Sequence, residues 1–102
     1  MTAGEIGRRL TDTVSELMKV MKEAQSLSKK ATRNHHVRAE LQNVIPRGNS
    51  MIREIRRMCT YCTNMGEHTE VSDQSLLSWP ARAETMLKSL RATVEHIRAW
   101  LG

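Results

Sequence analysis

Apolar residues recur along this chain at alternating steps of three and four, the spacing that lines one side of a helix. In the first stretch they fall on Ala3, Ile6, Leu10, Val14, Leu17, Val20, Met21, Ala24, Leu27 and Ala31, close to a heptad repeat. That stripe predicts a helix over residues 2–31, about 45 Å long and so longer than a compact globule of this size requires. Thr32, Arg33 and Asn34 interrupt it as a tight turn, and Thr32 or Asn34 offers a cap to the next helix. A second stripe follows through Val37, Leu41, Val44, Ile45, Gly48, Met51, Ile52, Ile55, Met58, Cys59, Cys62 and Met65. It predicts a helix over 35–65, kinked at Pro46, because an internal proline removes a hydrogen bond and crowds the preceding turn at about 3 kcal/mol. The alternative is a break into two helices at Pro46, Arg47 and Gly48. Gly48 lies on the apolar side, where it would let a neighbouring helix come close.

Residues 66–78 hold Glu67, Glu70 and Asp73 with few periodic apolar positions, so they read as an acidic loop with one turn around Leu76 and Leu77. The third stripe, Ala83, Leu87, Leu90, Val94, Ile97 and Leu101, predicts a helix over 79–101. Pro80 suits its first turn, Ser78 its N-cap, and Gly102 its terminator. Each stripe needs a partner to leave water. The expected fold is therefore all-α: one domain over 1–102, an elongated antiparallel three-helix bundle or helical hairpin, with four helices if Pro46 breaks the second and with dimerisation open to it. Leu10, Val14, Leu17, Met21, Ile52, Ile55, Leu90, Val94 and Ile97 are expected to form the core or a subunit seam.

Seven Met, no Phe, one Tyr and two Trp make that core aliphatic and sulfur-rich, which favours an adaptable surface. The formal charge is +5, and it is concentrated. Lys29, Lys30, Arg33, Arg38, Arg47, Arg53, Arg56 and Arg57 stand against only Glu40 and Glu54 between residues 29 and 57, leaving the rest of the chain near neutrality. Arg38, Arg47, Arg53, Arg56 and Arg57 are the candidates for polyanion binding, since guanidinium forks match phosphate oxygens. The plain alternative is a solvated surface paired with Glu40, Glu54 and the acidic loop. Tyr61 is the only aromatic residue near the cluster in sequence, so a stacking platform for unpaired bases is not expected.

Cys59 and Cys62, followed by Gly66 and His68, hint at zinc ligands, but the set is incomplete: Glu67 follows Gly66 where a retroviral knuckle has histidine. Because both cysteines extend the apolar stripe, they read as reduced core thiols, and no metal or cofactor is expected. His35 and His36 read as part of a solvated turn, and His96 as a helix flank. No nucleophile elbow, HExxH or glycine-rich phosphate loop occurs, so an enzyme is not expected. Neither a membrane-spanning run nor a signal-peptide stretch is visible, which points to an intracellular protein, cytoplasmic or nuclear, without a membrane partner.

The stretch from Ser26 to Met58 resembles a helical region of Gag-like first-open-reading-frame proteins of insect non-LTR retrotransposons, chiefly at Asn34, Val37, Arg38, Leu41, Ile52 and Ile55. The resemblance implies helices that serve particle assembly. The leading expectation is a non-enzymatic protein-interaction or self-assembly module, its partner a second copy or another helix; the runner-up is an RNA- or DNA-binding helical domain using the basic residues of 29–57.

Overall fold

The computed structural model describes residues 1–101, so Gly102 and its suggested terminating role lie outside it. Three long helices and one short one follow in order: α1 (Ala3–Lys30), α2 (His35–Met65), α3 (Gln74–Leu77) and α4 (Trp79–Leu101). The starts of α1 and α2 are set by local chemistry. The Glu5 N–H donates to Thr2 Oγ1 at 3.2 Å while the Thr2 N–H donates to Glu5 Oε1 at 3.3 Å, a reciprocal cap. Asn34 caps α2 by accepting from the Val37 N–H at 3.1 Å. Gly66 closes α2 at φ 97°, a conformation open chiefly to glycine.

α2 passes unbroken through Pro46, so the two-helix alternative does not hold. Gln42 and Pro46 are both exposed, which puts the proline on the solvent side, where the carbonyl it leaves without a partner can be hydrated. A second correction concerns Ser78. Its hydroxyl donates back to the Ser75 carbonyl at 2.6 Å instead of accepting from α4 amides, because the backbone is already helical at Ser78. The cap in this region belongs to Asp73, which accepts from the Ser75 N–H at 2.8 Å and starts α3 within the expected acidic loop.

The three stripes close on one another within a single chain. α1 and α2 run antiparallel, bringing Thr11 to Cys59 and Met18 to Arg56; α4 returns parallel to α1, pairing Arg91 with Glu16 and Arg98 with Glu23. Against α2 it is antiparallel, with Arg82 near Glu54 and Arg47 on Ser89. The core is one apolar cluster from Ala3 to Ile97. The shape is a rod of 52 × 18 × 16 Å, and its radius of gyration, 16.0 Å, exceeds the roughly 13 Å of a globule this long. Residues 66–71 fold back over the start of α1, where the Ala3 N–H donates to the Thr69 carbonyl at 2.8 Å and the Gly4 N–H to the Glu67 carbonyl at 3.0 Å. Two amides that a helix start leaves free are thereby satisfied.

Gly48 is buried where the helices meet; a Cβ there would run into Met21 Sδ and lie 3.2 Å from Leu90 Cδ2. Gly48→Val is therefore expected to cost about 1–3 kcal/mol through overpacking, read as a lower midpoint in urea unfolding at unchanged helicity. The Glu5 carboxyl is held below its ordinary value of 4.5, first by the Thr2 N–H and then by the Thr2 hydroxyl. A carboxyl lowered by folding stabilises above its unfolded pKa and loses that contribution as pH falls through the folded value. The melting-temperature advantage of the wild type over Glu5→Gln should accordingly shrink between neutral pH and the acid side of the carboxylate range.

Candidate polyanion interface

Leu10, Val14, Leu17, Met21, Ile52, Ile55, Leu90, Val94 and Ile97 are each at most 8% exposed. They fill the core of one chain, so any surface for a partner must be built from what remains outside. The arginines of α2 are outside, but they divide. Arg47 turns toward α4, its guanidinium donating to Ser89 Oγ at 2.5 Å, and leaves the set. Arg38 and Arg56 fall on the side of α2 next to α1, with Arg53 beside them and Arg57 a step further round the exposed surface.

α1 completes this surface with Met18, Lys22 and Gln25, which reading charge along the chain did not single out, and with Lys29 from the start of the basic run; the four recur at helical spacing beside the core stripe, all exposed. Lys22 and Gln25 face Asn49, Arg53 and Arg56 across a cleft of about 370 Å³ floored by Met21 and Ile52. The Arg56 guanidinium reaches Met18 Sδ at 3.6 Å, and Arg53 donates to Ser50 Oγ at 3.1 Å. Among the described residues, no carboxylate lies within 4.0 Å of Lys22, Arg38, Arg53, Arg56 or Arg57.

Of the carboxylates expected to neutralise these arginines, Glu40 forms no ion pair among the described residues, and Glu54, Glu67 and Glu70 are engaged elsewhere, Glu70 by the Met1 amino group. Glu54 faces Arg82 at 3.8 Å, Glu67 of the loop pairs with Arg8 at 3.3 Å, and Glu16 and Glu23 meet Arg91 and Arg98 of α4. The geometric reason is the side of α2 each residue occupies: Glu54 shares a row with Arg47, Met51 and Tyr61 that faces α4, opposite Arg56. Exposed pairs of this kind contribute little stability individually. Their positions nevertheless decide where positive charge is left unbalanced.

Two aromatic groupings form across the α2/α4 edge. Tyr61 meets Trp79 at 5.5 Å between ring centroids with planes 73° apart, and Trp100 lies between His36 at 4.5 Å and His96 at 4.7 Å. His35 and His36 therefore belong to the first turn of α2 instead of the preceding turn, and His96 packs on an indole. Cys62 is buried and Cys59 half-buried, both as free thiols on the α1-facing side of α2. Burial pushes the Cys62 thiol up, with neighbouring Cys59 adding to the shift. Among the described residues no three His, Cys, Asp or Glu side chains converge in a metal-binding arrangement, and no helix is long and apolar enough to cross a membrane. Compared with protein-family models, with curated proteins and with solved structures, the chain matches none.

Proposed function

We propose that this chain is a non-enzymatic helical binding module whose α1/α2 face takes the phosphate backbone of a nucleic acid. One observation carries the reading: Lys22, Arg38, Arg53, Arg56 and Arg57 stand free of carboxylates among the described residues, while Glu16, Glu23 and Glu54 are engaged by α4. Such a face lowers the free energy of phosphates by displacing their condensed counterions, so its affinity falls steeply with salt. The cleft adds hydrogen-bonding amides, Gln25 and Asn49, beside the cations.

Replacing Arg53, Arg56 and Arg57 with Glu is expected to abolish retention on heparin at moderate salt. It should also flatten the dependence of log K on log salt by about 2 for a single-stranded RNA. Arg47→Glu, the same charge change on the α4 side, should alter the slope less than Arg53→Glu does. Equal effects of the two single reversals would reduce the reading to bulk charge, and unchanged binding by the triple variant would remove it.

A second reading, self-assembly or capture of a partner helix, draws on the α2/α4 edge. Met51, Met65, Met86 and Trp79 are only partly buried there, with Tyr61 and Trp100 exposed at either end. Methionine-rich surfaces adapt to partners, and the resemblance of residues 26–58 to Gag-like proteins implies helices that serve particle assembly. On this reading the mass in solution rises above 11.7 kDa with concentration, and Met86→Glu holds it to one chain. A constant one-chain mass across the accessible range would withdraw it.

A further inference from the structure

We propose that Tyr61 is a base-stacking position and that the nucleic acid taken by the arginine face is single-stranded; this rests on the reading of that face as a phosphate-binding surface. Tyr61 is 53% exposed, the most open of the large apolar and aromatic side chains on the rod. Its ring is not loose. Trp79, delivered by α4, packs against it in an edge contact, which fixes the ring's orientation while leaving it open to solvent. Arg53, Arg57 and Tyr61 follow at intervals of four along α2, each about one turn further along and about 40° further round, so the series leads from the groove toward the α4 side, where Tyr61 shares the row of Glu54.

A strand whose phosphates lie along Arg53 and Arg57 therefore passes the ring of Tyr61 within one further turn. In a duplex, the base faces are stacked on one another and closed to a protein ring, and groove edges are read by hydrogen bonds. An unpaired strand offers those faces freely, and a basic track with an aromatic platform is the arrangement that holds it. The other exposed indole, Trp100, is flanked by two histidine rings and lies at the opposite end of the α2/α4 edge, away from Arg53 and Arg57. The Tyr61 and Trp79 pairing is thus the aromatic grouping next to Arg53 and Arg57 along α2.

The test compares wild type, Tyr61→Phe and Tyr61→Leu for binding to an oligouridylate of about 15 nucleotides, to a duplex of equal length and to heparin. Tyr61→Leu keeps apolar cover over Trp79 but removes the π-face. It is expected to lose about 10-fold in affinity for the oligouridylate, with Tyr61→Phe near wild type and duplex and heparin binding unchanged. Wild-type Tyr and Trp emission should also be quenched by saturating oligouridylate and not by heparin, a readout that stands even if Tyr61→Leu fails to fold. Wild-type affinity retained by Tyr61→Leu, an equal loss on all three ligands, or no quenching at saturation would overturn the stacking role while leaving the arginine face intact. Tight binding to duplex and heparin with none to the oligouridylate would do the same. Absence of wild-type binding to all three would remove the phosphate-binding reading and the stacking inference together.

Discussion

Closure of three apolar stripes on one another is the constraint from which the other features follow. Each long helix has a single greasy side, and without phenylalanine the core must be filled by aliphatic and sulfur side chains that pack well only when the helices approach closely. The approach is made possible by small residues on the buried side: Ala3, Ala24, Gly48 and Ala83, with Met21 laid into the notch at Gly48. Hydrophobic burial is not directional, but interdigitation is, and it sets the register of α4 on α1 and α2.

That register sorts the charges. Once α4 is seated, Arg91 and Arg98 lie opposite Glu16 and Glu23, and Arg82 lies near Glu54, so these three glutamates are paired on the α4 side. Lys22, Arg38, Arg53, Arg56 and Arg57 are left with no carboxylate within 4.0 Å among the described residues. A modest net charge of +5 thereby becomes a locally strong positive surface. The same folding event buries the core residues within one chain and leaves the basic face and the α2/α4 edge at its surface.

The helices were readable in the chain because their determinants are local: periodicity for their extent and Asn34 for the start of α2, while the caps at Thr2 and Gly66 emerged only in the structure. The continuity of α2 through Pro46 was open, since it depends on the proline facing solvent while the buried side of the helix is held by packing. Ser78 was misassigned for a related reason: Asp73 starts α3 earlier, and the backbone is already helical when it reaches the serine. The candidate interface was half visible. Arg38, Arg53, Arg56 and Arg57 stood out as a run, but the departure of Arg47, the contribution of Lys22 and the pairing of Tyr61 with Trp79 all depend on helix register. Spacing within α1 did hold one usable sign, the Met18, Lys22, Gln25 and Lys29 row beside the stripe.

Packing of the stripes leaves one face between α1 and the arginine side of α2, and we propose that this face meets a polyanion. Backbone amide chemical shifts of the isotope-labelled chain, followed while single-stranded RNA is added, test it residue by residue. The account predicts saturable changes concentrated at Met18 to Lys29 and Arg38 to Tyr61, with the outer side of α4 around Ala92 and Ala99 unmoved. Changes centred on α4, or spread evenly along the rod in proportion to exposed positive charge, would contradict it.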